Sequence, residues 1–320
     1  MDRELSSALA SDPLAATVPS GGALHQSGEH TSDGNRTPLD NIIPGSIAPG
    51  TLIGGSYRLM GELGRGAMGV VLLALDERLQ RRVAIKFIRS DIVEPGFYAR
   101  FTQEARAMAR VNHPNVLCIY AFGEHEGTPY FVSELVEGVT LEAWLAARRE
   151  APDLESALTI LDDVCKAVAA IHAAGTVHRD IKPSNIIFVK GCPKLADIGL
   201  VTAMRSNAAG ATWIGTQGYI PREGPGTAIA DIYSLGKVMY EAATGLDRER
   251  FPELPAAELP PNEVEMFRKF NQLIIRACHT DPGQRFQSAT ELQHALTEFS
   301  KSQESLRKKP TFWSWFLPGR

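Results

Sequence analysis

A two-lobed α+β chain is the fold class that the sequence predicts, and three observations carry it. Between Tyr57 and Ile88 apolar and polar residues alternate with the period of strands. From Phe101 onward apolar residues recur three and four apart, the period of helices. The strand-rich third precedes a helix-rich remainder, which suits an antiparallel sheet followed by a helical lobe.

The elements follow in order. Residues 1–50 are rich in Ser, Thr, Gly, Pro and Ala without apolar periodicity, so a disordered tail is expected there. Tyr57-Arg58-Leu59-Met60-Gly61-Glu62-Leu63 opens a strand, and the alternation resumes in Val71 to Leu75 and in Val83 to Ile88. Phe101, Ala105 and Met108 form one stripe of a helix over 101–111, with Glu104 beside it. A longer helix starts after Asp153 as N-cap. It carries Leu154, Leu158, Leu161, Val164, Val168 and Ile171 on its apolar face and stops at Gly175. The stretch from Ile229 to Ala243 is apolar on most faces, which predicts a buried helix ending at Gly245. Ser288 and Glu291 form a capping box ahead of Leu292, Ala295, Leu296 and Phe299. The expected organisation is a tail over 1–52, a domain over 53–300 divided near residue 137, and a second tail over 301–320.

Composition narrows the class. The chain has 320 residues, 44% hydrophobic and 22% charged, which excludes disorder throughout and a fibrous repeat. Six acids and two arginines in residues 1–50 account for the whole net charge of −4. The remainder balances, so bulk charge gives no support to nucleic-acid binding. Residues 301–320 hold five basic groups and one acid, a local exception. Cys118, Cys165, Cys192 and Cys278 form no C-x-x-C, so reduced, mostly buried thiols are expected rather than a disulfide framework or zinc site. No run approaches the roughly 18 apolar residues of a membrane span, and the start does not read as a signal peptide. A soluble cytoplasmic enzyme is the expectation.

Chemistry enters with Gly64-Arg65-Gly66-Ala67-Met68-Gly69-Val70-Val71. Glycines let a backbone approach phosphates closely and offer N–H donors. Alone, such a run also fits a dinucleotide fold or a tight turn. A dinucleotide fold expects an acid about 20 residues on, where this chain has Lys86. In Val83-Ala84-Ile85-Lys86 the strand period puts Ala84 and Lys86 on one face, a small residue beneath a flat base and an ammonium near phosphates. The bland alternative is a surface lysine on an edge strand. Glu104, 18 residues on, is the expected ion-pair partner of Lys86. His113-Pro114-Asn115 reads as a helix stop, with His113 structural.

The most specific segment is His178-Arg179-Asp180-Ile181-Lys182-Pro183-Ser184-Asn185, followed by Asp197-Ile198-Gly199. Its polar groups suit phosphoryl transfer. Asp180 would accept a hydroxyl proton, Asn185 and Asp197 would hold magnesium through oxygen, and Lys182 would neutralise charge on the phosphoryl group.

With these motifs in this order the chain resembles the eukaryotic-type protein kinases, and more closely their bacterial serine/threonine members. The resemblance covers about residues 53–300. It includes Gly215-Thr216-Gln217-Gly218-Tyr219-Ile220-Pro221-Arg222-Glu223, Asp231 to Gly236 and Pro282-Gly283-Gln284-Arg285. It implies the two-lobed kinase fold and ATP with magnesium, manganese being the other option. The residues it would place around ATP are Leu63, Gly64, Arg65, Gly66, Ala67, Met68, Gly69, Val70, Val71, Ala84, Lys86, Glu134, Val136 and Ile187. It implies Asp180 as base, assisted by Lys182, Lys86, Glu104 and Thr216, with Asn185 and Asp197 on the metal. Glu223 would pair with Arg285, and Asp231 would brace the catalytic loop. His178 would pack with Met108, Ile119 and Ile198. The stretch Thr244 to Leu254, with Cys278 to Pro282, looks similar to kinases of planctomycete- and verrucomicrobia-like bacteria.

The departures are specific. Ile198 stands for the usual Phe, Pro221-Arg222-Glu223 for Ala-Pro-Glu, and Gln217 where Pro is common. Ser133, just before the hinge residue Glu134, is small where a bulky residue often blocks a rear pocket. Arg179 beside Asp180 suggests control by phosphorylation of the loop between Gly199 and Pro221, with Thr212 the first candidate and Thr202 the second. Constitutive activity with solvated hydroxyls is the alternative. Arg307-Lys308-Lys309 with Phe312, Trp313, Trp315 and Phe316 can meet an anionic membrane surface through 307–317 or dock back on the domain. The expected partners are proteins with Ser or Thr acceptors and a second copy of the chain for trans-autophosphorylation, not nucleic acid. A pseudokinase would have lost Lys86, Asp180 or Asp197. A small-molecule phosphotransferase would not need the segment from Gly215 to Glu223.

Overall fold

The structure is a computed structural model that describes residues 48–66, 68–89, 97–147, 154–197, 218–254 and 261–303. The smaller lobe is a six-stranded antiparallel sheet in the order β1-β2-β3-β4-β6-β5. Its strands are β1 (Leu52–Ile53), β2 (Tyr57–Gly66), β3 (Gly69–Asp76), β4 (Arg81–Ile88), β5 (Ile119–His125) and β6 (Thr128–Glu134). Helix α1 (Phe97–Met108) packs against β5. Order thus precedes Tyr57 by one short strand, because Leu52 and Ile53 pair with Arg58 and Tyr57.

The alternation read from the sequence separates two sheet faces. Val70, Leu72, Ala74, Val83, Ile85, Phe87, Tyr130 and Val132 bury themselves with Ile53 and Leu59 in a core of their own. Val71, Leu73, Ala84 and Lys86 take the opposite face and are only partly buried. The register places Val71 beside Lys86 and Ala84 beside Ser133, so this second face is one continuous wall. A half-open wall in an otherwise buried lobe is the surface of a cleft.

The larger lobe holds α2 (Leu141–Ala146), α3 (Leu154–Ala173), α4 (Ala228–Thr244), α5 (Pro261–Ala277) and α6 (Ala289–Gln303). A three-stranded sheet, β7-β8-β9, adds β7 (Val139–Thr140), β8 (Ile186–Val189) and β9 (Cys192–Leu195). Helix α4 is buried on nearly every face, as its composition requires. Thr227 accepts the Ala230 N–H at 3.1 Å to cap it, and Gly245 at φ 69 closes it by donating to Glu241 O. At α6, Ser288 Oγ accepts the Glu291 N–H at 3.0 Å, and the Glu291 carboxylate reaches back to the Gln287 N–H at 2.7 Å. The expected capping box therefore forms, displaced by one residue on its carboxylate side.

Three features differ from the sequence reading. Helix α1 runs from Phe97 to Met108 rather than 101–111, and Val111 follows a turn. The large-lobe sheet was not expected, its strands of two to four residues being too short to show alternation. Cys165 and Cys278 are buried, but Cys192 is exposed and Cys118 only partly covered, so the thiols are not mostly buried. Asp153, the expected N-cap of α3, lies outside the described residues. No helix among the described residues is long and apolar enough to cross a membrane.

Candidate active site

The cleft wall on β2, β3 and β4 carries most of the residues expected around a nucleotide. Leu63 to Gly66 end β2, Gly69 to Val71 open β3, and Met68 lies in the turn between them; Ala67 is outside the described residues. Gly64 and Gly66 each face open space where a Cβ would stand, which leaves their backbone approachable by a bulky anion. Gly69 has another reason to be glycine. At φ +155 its Cβ would stand 1.8 Å from Phe87 O, so any side chain would split β3 from β4.

Opposite that wall, Glu134 ends β6, Val136 follows in the connection between the lobes, and Ile187 sits on β8. Glu134 is tied in three ways. Its N–H donates to Cys118 O at 3.0 Å, and its Oε1 accepts from Cys118 N at 2.9 Å and Lys194 Nζ at 2.7 Å. Asn115 adds a parallel link, its amide donating to Pro193 O at 2.8 Å while its carbonyl takes the Leu195 N–H. These groups join the α1–β5 connection and the hinge to β9. Lys194 and Asn115 were not singled out from sequence, because their partners lie 60 and 78 residues away.

The loop that holds His178 to Asn185 is braced from below by Asp231 on α4, which is 1% exposed. Its Oδ2 accepts the His178 N–H at 2.7 Å and its Oδ1 the Arg179 N–H at 2.8 Å, while His172 Nε2 approaches Oδ2 at 2.8 Å. The brace holds Arg179 at φ 68, a left-handed conformation that a non-glycine residue adopts only when surrounding bonds impose it. His178 is fully buried. It donates from Nε2 to Ala196 O at 3.0 Å and accepts the Asp180 N–H on Nδ1 at 3.3 Å. Burial pushes its pKa below the usual histidine value against the pull of Asp231 and Asp180, so it stays neutral. Both nitrogens are committed to backbone, which leaves it no proton-transfer role.

Asp180 is 8% exposed. Its Oδ2 is gripped by Lys182 Nζ at 3.0 Å and Asn185 Nδ2 at 2.9 Å, and Asn185 Nδ2 also donates to Asp180 O at 2.7 Å. Oδ1 is therefore the oxygen left to receive an incoming hydroxyl. With its nitrogen engaged, Asn185 has its amide oxygen for a cation. The Ala196 N–H donates to Asn185 O at 2.8 Å and draws the start of the Asp197 segment to the same loop. Asp197, at φ 55, pairs with Lys86 Nζ at 2.7 Å. Desolvation works to raise its carboxyl, but Lys86, with Lys182, overrides it and holds the group below the usual range.

The pairing expected between Lys86 and Glu104 is not made. Lys86 holds Asp197, while Glu104 Oε1 lies 2.6 Å from Arg179 Nη1. Glu104 Oε2 and Arg179 Nε and Nη1 are buried without a hydrogen-bond partner, so this second pair is held by charge rather than by aligned bonds. The reason for the difference is competition. Lys86, Arg179 and Lys182 converge on Glu104, Asp180 and Asp197, and an 18-residue spacing along the chain does not select among them.

The residues present fit a nucleotide with a divalent cation. The two glycines leave a cradle that a Cβ would fill, and Asn185 and Asp197 offer hard oxygen ligands. Two protein ligands suit a cation shared with phosphates. Among the described residues no group of three or more His, Cys, Asp and Glu side chains forms a resident metal centre.

Past the loop, Glu223 and Arg285 pair at 2.5 Å, and Arg285, 2% exposed, also donates from Nε to His279 O at 2.7 Å. This anchors the described end of the segment that begins at Gly215. Thr216, Thr212, Thr202, Ile198 and Gln217 lie outside the described residues.

Comparison with known proteins agrees with this geometry. Residues 57–297 match the protein kinase domain family. The serine/threonine-protein kinase PknB of Mycolicibacterium smegmatis is 34% identical over 278 residues, covering 77% of this chain and 43% of PknB. PrkC of Bacillus subtilis, another serine/threonine-protein kinase, is 34% identical over 263 residues, covering 76% of this chain and 40% of PrkC. The chain thus spans about two fifths of the length of these curated relatives. Among solved structures, the kinase domain of Mycobacterium tuberculosis PknI has the same fold, with a TM-score of 0.63 at 24% identity over 79% of this chain and 99% of that one. With three quarters of its length matched by that family, from residue 57 to 297, the chain belongs to the protein kinase family.

Proposed function

We propose that the chain is an ATP-dependent serine/threonine protein kinase acting in bacterial signalling. The observation that carries the reading is the hold on Asp180: one short loop supplies a carboxylate, a cation 3.0 Å away and an amide 2.9 Å away. ATP with magnesium or manganese supplies the γ-phosphoryl group and the charge that masks its oxygens. Asp180 orients the acceptor hydroxyl and takes its proton on Oδ1. Lys182 spreads positive charge toward the transferred group, and Lys86 serves the phosphates when released from Asp197. Asn185 and Asp197 hold the cation.

A protein acceptor is favoured over a small molecule by the Glu223–Arg285 anchor, which fixes a surface segment that a small acceptor would not need. The pairing of Arg179 with Glu104 supports a regulated resting form. A phosphate on Thr212, or on Thr202, would compete for Arg179 and leave Glu104 to Lys86. A second copy of the chain is the proposed source of that phosphate, and mass spectrometry of an active sample with Thr212 unmodified would refute the first choice. The basic aromatic segment over 301–320 has two readings, contact with an anionic bilayer or docking on the domain, which liposome sedimentation at low salt separates.

The deciding assay compares wild type with Asp180→Asn, using labelled ATP, a Ser/Thr-rich test protein and the chain itself as acceptors. Loss of labelling by about a hundredfold or more is expected. Equal labelling by both would overturn the mechanism.

A further inference from the structure

The sheet β7-β8-β9 carries the segment that leads into Asp197, and its register sorts that segment into two faces. Ile186 is opposite Leu195 and Phe188 opposite Pro193, and all four are buried. Ile187 is opposite Lys194, and both are only partly covered. Residues directly opposed in a ladder share a face, so Lys194 stands beside Ile187 on the half-open side of the sheet. From there its ammonium leaves the larger lobe and reaches Glu134 Oε1, at the end of β6, at 2.7 Å. The two side chains are 19% and 21% exposed, so salt screens the pair less than it would a surface pair.

Lys194 also lies three residues before Asp197, about 10 Å of extended chain. That stretch is stiff. Leu195 donates to Asn115 O at 2.8 Å and accepts the Leu117 N–H at 2.9 Å. Ala196 donates to Asn185 O at 2.8 Å and accepts from His178 Nε2 at 3.0 Å. Both residues between Lys194 and Asp197 thus have their N–H and C=O engaged. One cation therefore connects the hinge carboxylate, across the lobes, to a short rigid strand that ends in a cation ligand.

Resting on the kinase reading above, we infer that Lys194 is a positioning residue for the nucleotide. By tying Glu134 to the strand that delivers Asp197, it fixes the distance between the base end of the site and its cation end. It acts through Glu134 and touches no reacting atom. A ligand that fills only the base end gains nothing from a fixed distance. One that spans both ends binds without having to draw them together.

The test is calorimetry on the full chain with two ligands, adenosine and ATP with magnesium. Lys194→Met should weaken ATP with magnesium by about tenfold and leave adenosine within about twofold. In turnover the loss should fall on the KM for ATP, with kcat within about threefold of wild type. Lys194→Arg restores the cation and should return ATP to within about threefold of wild type. Glu134→Gln neutralises the pair from the hinge side and should show the same split between the ligands, and the double variant should bind no more weakly than Lys194→Met alone. Affinity is read per occupied site, so partial unfolding of a variant lowers the stoichiometry and leaves the comparison intact. Equal weakening of both ligands would mean that Lys194 only shapes the hinge, and unchanged affinity for both that the pair is inert; either overturns the inference, as do additive losses in the double variant. Wild type that does not bind ATP with magnesium would instead overturn the kinase reading.

Discussion

Ser133 is 3% exposed on the cleft wall beside Ala84, and its hydroxyl donates to Glu134 O at 3.3 Å. A side chain this small is what the proposed adenine site would need in order to admit bulky ligands at its rear. Ser133→Met should weaken such a ligand by about tenfold or more while leaving ATP binding within about threefold, read by competition titration. An unchanged response would show that another residue shapes the rear wall. His113 supplies a second prediction. Burial lowers its pKa, Asp163 opposes the shift and Lys166 adds to it, and Nδ1 accepts the Asn115 N–H at 3.2 Å. The folded value lies below the ordinary 6.5, so the contribution of His113 to stability is complete above that pH and is lost as pH falls through the folded value. His113→Gln should therefore flatten the fall in Tm between pH ~7 and ~5. A slope as steep as that of wild type would assign the acid sensitivity to other groups.

At the scale of elements, α4 shows how a helix read correctly from composition is placed by features that composition omits. Its apolar faces and Gly245 were legible because periodicity and the left-handed cap are local properties. Its contact with α5 was not. A Cβ on Gly236 would stand 2.5 Å from Cys278 Sγ and 2.9 Å from Ala277 Cβ, so the glycine sets the approach of the two helices. Gly236→Ala should destabilise the chain by about 1–3 kcal/mol despite the better helix propensity of alanine. Cys278→Ala added to it should recover part of that loss, as a double-mutant cycle by denaturant titration would show. Full additivity would place the strain elsewhere. Burial also pushes the Cys278 thiol up to about 12, consistent with a packing role and not a reactive one.

For the whole molecule, the issue is how two lobes share one set of charges. The small-lobe sheet has its own core, whereas Phe101, Met108 and Ile119 pack with the larger core that contains α3 and α4. Helix α1 thus belongs by packing to the lower body and by sequence to the upper one. Its Glu104 faces Arg179 here, and Lys86 turns to Asp197. If Glu104 exchanges between Arg179 and Lys86, removing Arg179 should shift the population toward the second pairing. Arg179→Gln should then tighten nucleotide binding by about threefold and Glu104→Gln should weaken it, measured by calorimetry with ATP and magnesium. Tighter binding in both would refute the exchange.

What is settled along the chain is local and chemical. Strand alternation from Tyr57 to Ile88, helix periods, caps and the spacing of Asp180, Lys182 and Asn185 are written within a few residues of each other, because a loop or strand places near neighbours by its own geometry. What only the folded chain decides is which distant charges meet. Lys86 takes Asp197, Glu104 takes Arg179 and Lys194 takes Glu134. A cation pairs with the nearest carboxylate that burial leaves available, and nearness across lobes is set by packing rather than by position in the sequence.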